Sequence, residues 1–262
     1  MVPIYKSSER ALLNNYRPIS VLPAYSKILE KLMFTRVMKF LNSHNILYKH
    51  QYGFRANHST VHPILHFLNN CANSINKKKL SLVLFFDLSK AFDVISYEIL
   101  LDKLKYYGIR GVVNDWFRSY LTNRKQYVNF RDVKSTLLEL LCGVPQGSIL
   151  GPLLYLLYVN DIQGSTPQTI LSFADDTTMI VSDSKLTNLF KLANAEMLKL
   201  YHWFCASRLQ LNATKTKYIV IHTPQRKCNF EGLSLKLDNV ELDRIGNDCE
   251  KKQLCQIFRI MY

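Results

Sequence analysis

The sequence predicts an α+β protein, in which short β-strands form a sheet and amphipathic helices cover it. A near-continuous apolar run, 80–86, has the length and composition of a buried strand and ends at an acid, Asp87. Two shorter β-favouring runs lie on either side of Asp175 and Asp176, which predicts a hairpin with both carboxylates in its turn. Apolar residues recur at helical spacing over 186–209, so this segment is expected to be a helix packed on the sheet.

The length and charge of the chain favour a globular protein with a polyanionic partner. With 262 residues and 48% hydrophobic side chains, the chain can bury a sizeable core, which excludes intrinsic disorder. Lys and Arg outnumber Asp and Glu by 34 to 20, giving a formal net charge of +14. This excess favours nucleic acid as the partner. The alternative, a protein of anionic membrane surfaces, would bind lipid even when nucleic acid competes.

Targeting and membrane-spanning segments are not recognisable in the sequence. The longest uncharged apolar run, 149–159, is too short to cross a bilayer. The N-terminal residues have neither a signal-peptide core nor a transit-peptide composition, so we expect an intracellular protein of the cytoplasm or nucleus without membrane association. The six cysteines are far apart and lack metal-ligand spacing, which predicts ordinary thiols.

Hydrophobic periodicity and turn residues predict the other elements in chain order. A helix that opens at Ser26 has apolar residues at helical spacing, which are expected to face the core: Ile28, Leu29, Leu32, Met33, Val37 and Phe40. Asp93 is expected to cap or anchor the helix that follows it. The further predicted elements are a helix capped by Ser59 or Thr60 and ending at Asn70, helices over 96–107 and 112–121, a hairpin of 125–130 with 136–142, a helix from Ser148, a strand over 218–222 and a hairpin-like segment over 230–242.

Three acids are candidate cation ligands. Asp87 at a strand end and the Asp175–Asp176 pair can converge if their strands are neighbours in one sheet. Adjacent carboxylates repel each other and are costly to desolvate, so an apolar setting favours a bound cation. Two Mg²⁺ ions, which take carboxylate and phosphate oxygens, suit in-line phosphoryl transfer. The alternatives are a solvated turn at the acid pair and an Asp87 that only caps its own turn.

Loop residues elsewhere are candidates for contact with a nucleotide. Arg55 follows a glycine-containing loop, and its guanidinium fork suits phosphate oxygens. Gln146 offers an amide that accepts and donates, while Gly147 allows a backbone to approach a ligand closely. Lys215 is the notable residue of the turn before the strand predicted over 218–222. The alternatives are a surface arginine and a simple turn.

Six ordered motifs resemble the reverse transcriptase domain of non-LTR (LINE-type) retrotransposons over residues 2–222. They are Asn15-Tyr-Arg-Pro-Ile-Ser-Val-Leu-Pro23 with 26–31, and Gln51-Tyr-Gly-Phe-Arg55, both similar to blocks of the fingers; Phe86-Asp-Leu-Ser-Lys-Ala-Phe-Asp93, similar to motif A; 143–152, similar to motif B; Phe173-Ala-Asp-Asp176, similar to motif C; and 211–217, similar to motif D. The tetrapeptide alone would be weak evidence, but the ordered set makes a chance match negligible.

The resemblance implies a right-hand polymerase fold. Fingers would occupy 1–79, a palm with an antiparallel sheet packed on helices 80–222, and a truncated, divergent C-terminal segment 223–262. The implied activity is RNA-directed DNA polymerase, which adds dNTPs to the 3′-OH of a DNA primer on an RNA template by two-metal phosphoryl transfer. The implied cofactor is two Mg²⁺ ions, for which Mn²⁺ can substitute, and the oligomeric state stays open.

The same resemblance implies which residues serve catalysis. Asp87, Asp175 and Asp176, together with the Leu88 carbonyl, would hold the two metal ions, Asp176 less directly than the other two aspartates. Lys215 would protonate pyrophosphate as it leaves. Positioning and charge neutralisation dominate phosphoryl-transfer catalysis, so these roles agree with the chemistry.

Four further residues are implied to bind the nucleotide or template. Arg55 would contact the incoming triphosphate, and Gln146 with Gly147 would line the nucleotide and template pocket. The bulk of Phe92 would sit under the incoming sugar and disfavour a 2′-hydroxyl, which selects deoxynucleotides.

The chain departs from the family pattern at both ends. The sequence begins just before the fingers blocks, so an endonuclease domain before them is not expected, and residues 247–262 do not resemble the helical thumb that follows in the family. We therefore expect a truncated element copy, and the alternative function is a catalytically inactive, nucleic-acid-binding remnant of such a polymerase. A group II intron maturase would have the same chemistry, but the wording of motifs A and B favours the retrotransposon family.

Overall fold

The computed structural model describes residues 1–6, 9–131, 133–238 and 240–245. Its helices are α1 (Ala24–Ser43), α2 (Val61–Asn76), α3 (Tyr97–Tyr106), α4 (Val112–Leu121), α5 (Leu150–Val159) and α6 (Leu186–Ala206), with short 3-10 turns at Leu13–Asn15 and Ile162–Ser165. Its strands are β1 (Val2–Tyr5), β2 (Tyr16–Ile19), β3 (Leu80–Phe86), β4 (Lys125–Gln126), β5 (Asn129–Phe130), β6 (Val133–Lys134), β7 (Leu138–Glu139), β8 (Thr169–Phe173), β9 (Asp176–Asp183), β10 (Lys217–Ile221), β11 (Lys236–Leu237), β12 (Val240–Glu241) and β13 (Asp243–Arg244). The part of the predicted C-terminal segment 223–262 that follows Ile245 lies outside the described residues.

The chain forms two compact units. The first, unit 1, contains residues 1–47 and 90–159, and the second, unit 2, contains residues 48–89 and the chain from Asn160 onward. The division of the sequence at residues 79 and 222 into fingers, palm and C-terminal segment stays a prediction. Within the described residues, no helix has both the length and the apolar composition needed to cross a bilayer.

Unit 2 is built on a five-stranded sheet in the order β13-β10-β3-β9-β8. β3 is central and pairs antiparallel with β9 and β10, while β13 pairs parallel with β10. Every residue of β3 is buried. Side chains of a strand point alternately to its two faces: Val83 and Phe85 join a core cluster with Phe67 of α2, while the ring of Phe86 contacts Phe204 of α6. The predicted strand is thus continuous in apolar residues because helices cover both faces of the sheet.

Unit 1 is mainly helical, with short two-stranded ladders. β1 pairs with β2, β4 with β7, and β5 with β6, all antiparallel. The predicted hairpin over 125–142 is therefore present, with a turn tighter than expected. α5 is buried along its whole length and contacts α1 and α3. A helix that is apolar all round needs protein on every side, which explains its position in the core of this unit.

α1 turns a different face to the core than its periodicity predicts. Ile28, Leu29 and Leu32 are 57%, 55% and 56% exposed, so the expectation that they face the core was wrong. The buried residues of α1 are Glu30, Val37 and Leu41. The cause is polar: the Glu30 carboxylate is 1% exposed and accepts hydrogen bonds from Tyr120 Oη and Ile149 N, both at 2.7 Å.

Helix caps also differ from the prediction. Thr60 occupies the N-cap position of α2, but its side chain makes no capping hydrogen bond, and α2 extends to Asn76 instead of Asn70. Ser96, and not Asp93, occupies the N-cap position of α3. The Asp93 carboxylate is instead an acceptor for the side-chain amide of Gln146, so the expected capping role of Asp93 was wrong.

Replacing Glu30 tests the polar contact that orients α1. Glu30→Ala would leave the Tyr120 hydroxyl and the Ile149 N–H without their acceptor, and we expect a loss of about 3 kcal/mol in the free energy of unfolding. Glu30→Gln keeps one carbonyl oxygen and should lose about half as much. Urea unfolding measures both, with Glu139→Ala on exposed β7 as the control. Equal losses for Glu30→Ala and Glu139→Ala would contradict this account.

Candidate metal centre

Asp87 lies directly after the last residue of β3, where the chain leaves the sheet. Its backbone is fixed from one side by the loop that precedes β10: Asn212 N donates to Asp87 O at 2.8 Å. Leu88 forms an antiparallel bridge with Leu211. The hydrogen bonds on either side of this bridge join Asp87 with Asn212 and Ser89 with Gln210. Leu88 and Leu211 are therefore a pair without hydrogen bonds to each other, and the Leu88 carbonyl points away from Leu211. Such an orientation leaves this carbonyl compatible with the predicted metal contact.

The hairpin of β8 and β9 turns one residue earlier than predicted. Phe173 pairs with Asp176, so the two turn residues are Ala174 and Asp175, and Asp176 is the first residue of β9. The expected Asp-Asp turn was therefore wrong. Ala174 takes a φ of 55°, a conformation that an L-residue adopts at a cost of about 1–2 kcal/mol.

The sheet brings the three acids together at one end. Phe86 pairs with Thr177 in the antiparallel ladder of β3 and β9, so Asp87 and Asp176 occupy the next position on the two strands. The pKa of Asp176 is raised to about 6, first by burial and then by the negative charges of Asp175 and Asp87. Because the charges of Asp175 and Asp87 act on Asp176, their carboxylates lie near the carboxyl of Asp176.

Lys215 lies beside the acids. Its Nζ is 3.9 Å from Asp87 Oδ2, and the two side chains are 66% and 39% exposed. An ion pair that is so exposed contributes little to stability. Asp87, Asp176 and Lys215 line one cleft together with residues of β3, β8 and β9. Lys215 therefore lies in the same cleft as Asp87 and Asp176, and its predicted role in catalysis stays a prediction.

Arg55 lies in the same unit and holds its own loop in place. Its Nη1 donates to the carbonyls of Tyr48 and Gln51 at 2.9 and 3.1 Å. Partial burial lowers the pKa of the guanidinium. Because a guanidinium has five N–H donors, these two bonds leave capacity for the predicted phosphate contact, which stays a prediction.

Phe92, Gln146 and Gly147 belong to unit 1. The ring of Phe92 stacks on Tyr155 at a centroid distance of 4.8 Å. Gln146 Nε2 donates to Asp93 Oδ1 at 2.9 Å, which fixes the amide so that its oxygen faces away from Asp93. Their predicted roles with nucleotide and template are not contradicted by these contacts.

Gly147 is required by a close approach within unit 1. Its φ is 97°, and a Cβ at this position would lie 3.2 Å from the carbonyl oxygen of Ser20. Ser20 N in turn donates to the carbonyl of Gln146 at 2.8 Å. The glycine therefore serves the contact of this loop with the segment after β2, and a role in ligand binding stays a prediction.

Residues that support the site were missed by sequence reasoning. Gln51 is 5% exposed and accepts a hydrogen bond from the turn residue Ala174. Glu30 accepts a hydrogen bond from Ile149 N, directly before α5. Neither stands out in one sequence, because a single Gln or Glu beside a loop or on a basic helix is usually solvated. The only available signal was their place inside motifs that resemble a known family.

The donor set fits a hard divalent cation. Mg²⁺ is usually bound by one or two carboxylates together with water and substrate phosphates, and the cluster of Asp87, Asp175 and Asp176 offers such oxygens. Among the residues that the structure describes, no three His, Cys, Asp or Glu side chains already stand at metal-ligand spacing. A cation held by these carboxylates would therefore need further ligands from water and substrate phosphates.

Replacing Asp176 is expected to stabilise the metal-free protein at neutral pH. The folded carboxyl has a pKa of about 6 against an ordinary value of 3.8, so its charged form costs stability above pH 6. This cost disappears as the pH falls from about 6 towards 4. Because the side chain is partly in water, Asp176→Asn should raise the free energy of unfolding by only about 1 kcal/mol.

Thermal unfolding in EDTA measures this gain at about pH 7.5 and about pH 4.5. Asp183→Asn is the matched control, because it makes the same substitution at the other end of β9. An equal gain for Asp176→Asn at both pH values would contradict the electrostatic origin.

Comparison with known proteins identifies the family. Residues 4–235 match the family described as reverse transcriptase (RNA-dependent DNA polymerase). The chain is 31% identical over 216 residues to the probable RNA-directed DNA polymerase from transposon BS of Drosophila melanogaster, covering 77% of this chain and 23% of that protein. It is 35% identical over 173 residues to the probable polymerase from transposon X-element of the same species, covering 62% and 18%. The polymerase from mobile element jockey is 28% identical over 234 residues, covering 85% and 25%. The chain thus spans about a fifth to a quarter of the length of these relatives.

Solved structures share the fold. Telomerase from Candida tropicalis in complex with the TWJ fragment of telomeric RNA superposes with a TM-score of 0.55 at 14% identity, covering 90% of this chain and 42% of that one. The apo telomerase of the same species, truncated from its C-terminal domain, gives 0.53 at 13% identity, covering 75% and 41%. At this identity the likeness concerns the fold alone, and it confirms the predicted right-hand polymerase fold. With the match over residues 4–235, the predicted resemblance is confirmed, and the chain belongs to the reverse transcriptase family.

Proposed function

We propose that this chain catalyses RNA-directed DNA synthesis, adding dNTPs to the 3′-OH of a DNA primer on an RNA template. The observation that carries this proposal is the grouping of Asp87, Asp175 and Asp176 at one end of the sheet, where the pKa of Asp176 responds to the other two charges. Three clustered acids are unfavourable unless positive charge arrives with the substrate. Membership of the reverse transcriptase family supports the same chemistry.

The proposed step is an in-line displacement at phosphorus. The primer 3′-hydroxyl loses its proton to solvent as its oxygen forms a bond to the α-phosphorus of the dNTP. The bond between that phosphorus and the bridging oxygen to the β-phosphate breaks, and pyrophosphate leaves. Asp87, Asp175 and Asp176, with the Leu88 carbonyl, would hold two Mg²⁺ ions or Mn²⁺ in their place. When bound, such ions activate the attacking oxygen and neutralise charge on the leaving oxygen.

Two basic residues of unit 2 are proposed to handle the triphosphate. Lys215, whose Nζ lies 3.9 Å from Asp87 Oδ2, would donate a proton to pyrophosphate as it departs. Arg55 would contact the triphosphate with the donors that Tyr48 and Gln51 do not use. Fixed donors of this kind stabilise developing charge without reorganisation.

Residues of unit 1 are proposed to recognise the nucleotide and the template. Stacking on Tyr155 holds the Phe92 ring, and this ring would exclude a 2′-hydroxyl on the incoming sugar. Gln146, oriented by Asp93, would line the pocket together with Gly147. The net charge of +14 supports binding of a template-primer backbone, and this substrate implies work in the cytoplasm or nucleus.

Primer extension tests the activity directly. With Mg²⁺, a primed RNA template and dNTPs, we expect the wild-type protein to extend the primer and the Asp175→Ala, Asp176→Ala variant to lose at least about a thousand-fold in rate. Asp183→Ala, on the same strand but at its far end, is the matched control and should keep the activity.

Filter binding of the same template-primer separates the outcomes. If the wild-type protein binds template-primer but extends it no better than the double variant, the proposed function fails. The chain would then be a nucleic-acid-binding remnant without activity.

A second experiment tests sugar selection. Phe92→Val removes the ring that is proposed to exclude the 2′-hydroxyl, so incorporation of rNTPs relative to dNTPs should rise by about ten-fold or more. Phe92→Tyr keeps the ring and should keep the selectivity. Single-nucleotide incorporation measures the ratio of kcat/KM values, and an unchanged ratio in Phe92→Val would remove this role.

A further inference from the structure

The turn that carries Asp175 is held by a residue from another part of unit 2. We propose that Gln51 is a positioning residue for the metal-binding hairpin, acting on Ala174 and through it on Asp175. This inference rests on the proposed function, because it concerns the ligands of the same site. Its evidence is a set of contacts between the loop 48–55 and the hairpin.

The Gln51 side chain makes both kinds of hydrogen bond to the turn. Its Oε1 accepts from Ala174 N at 3.2 Å and from Gly53 N at 2.9 Å, and its Nε2 donates to Ala174 O at 3.4 Å. The Gln51 side chain thus supplies hydrogen-bond partners for both the N–H and the carbonyl of Ala174. Since Gln51 is 5% exposed, water does not compete easily for these groups.

Backbone pairing fixes the same loop along β8. Tyr52 N donates to Ser172 O at 2.8 Å, and Ser172 N donates to His50 O at 3.0 Å, so Gln51 forms a parallel bridge with Ser172. This pairing sets the position of Gln51 relative to the turn. The amide of Gln51 is therefore delivered to Ala174 by the sheet itself.

Gly53 permits the close approach. A Cβ on Gly53 would lie 2.1 Å from Ala174 N and 2.7 Å from Ala174 Cα, distances that no side chain can occupy without moving the backbone. The hairpin turn and the loop are therefore in direct backbone contact. Any side chain at position 53 must move the backbone of the turn or that of the loop.

The contacts have a consequence for the metal ligands. Ala174 holds a φ of 55°, which a residue with a Cβ adopts only when its surroundings impose it. The two-residue hairpin turn requires this φ, the two hydrogen bonds between Gln51 and Ala174 hold the turn in place, and Asp175 follows directly in the chain. Arg55 also donates to the Gln51 carbonyl, so one residue supports both the proposed triphosphate contact and the proposed metal ligands.

Hydrogen exchange and Mn²⁺ binding test the inference without reference to turnover. In Gln51→Met the amide of Ala174 loses its acceptor, and we expect its exchange rate, followed by NMR, to rise about ten-fold or more. Gln51→Glu keeps an acceptor and should keep this amide protected. Supporting residues around metal ligands typically affect affinity ten-fold or more, so we expect Gln51→Met and Gly53→Ala to weaken Mn²⁺ binding about ten-fold by electron paramagnetic resonance titration.

Matched controls separate positioning from general damage. Gln225→Met replaces an exposed glutamine, and Gly164→Ala adds a Cβ with no atom within 4 Å. Both should leave Ala174 exchange and Mn²⁺ affinity unchanged. If Gln51→Met matches the wild-type protein in both measurements, the inference fails while the metal centre stands. If wild-type protein binds Mn²⁺ no more tightly than Asp175→Ala, the proposed metal centre fails, and the role of Gln51 fails with it.

Discussion

The pairing of β3 with β9 is the constraint on which the proposed metal centre depends. The two strands run antiparallel from Leu80 opposite Asp183 to Phe86 opposite Thr177. The two faces of β3 pack against different helices, Val83 and Phe85 with Phe67 of α2 and Phe86 with Phe204 of α6. A slip of one residue would turn every side chain of the strand to the opposite face and lose both sets of contacts. With the register fixed, the chain leaves the sheet at Asp87, opposite the start of β9 at Asp176. Apolar packing along the strand thus places two acids together, although neither acid contributes to the core.

The grouping of acids is unfavourable for the protein alone, and the surrounding polar contacts show how it is tolerated. The raised pKa of Asp176 records the cost. Around the acids, the backbone is held by bonds that do not involve their carboxylates: Asn212 N binds the Asp87 carbonyl, and Gln51 binds both backbone groups of Ala174. These contacts position the backbone of the acids through groups other than the carboxylates. Such preorganisation is what catalysis by charge stabilisation requires.

The sequence was sufficient to predict the central strand, the hairpin of acids and the long helix α6, because each has a strong periodic or apolar signal. It was insufficient wherever one polar contact between distant segments decided the outcome. The periodicity of α1 predicts Ile28 in the core, yet the buried carboxylate of Glu30 rotates the helix. The acid pair suggests an Asp-Asp turn, yet pairing of Asp176 with Phe173 moves the turn by one residue. Both outcomes depend on partners that are remote in sequence, and local patterns do not encode them.

The central claim is that Asp87 and the β8–β9 hairpin form one cation site. Anomalous diffraction from crystals grown with Mn²⁺ and collected near the manganese absorption edge tests it most directly. We expect anomalous density between the carboxylates of Asp87 and Asp175, and its disappearance in crystals of Asp175→Ala. Well-ordered carboxylates without anomalous density between them, at a Mn²⁺ concentration that supports density elsewhere on the protein, would contradict the account.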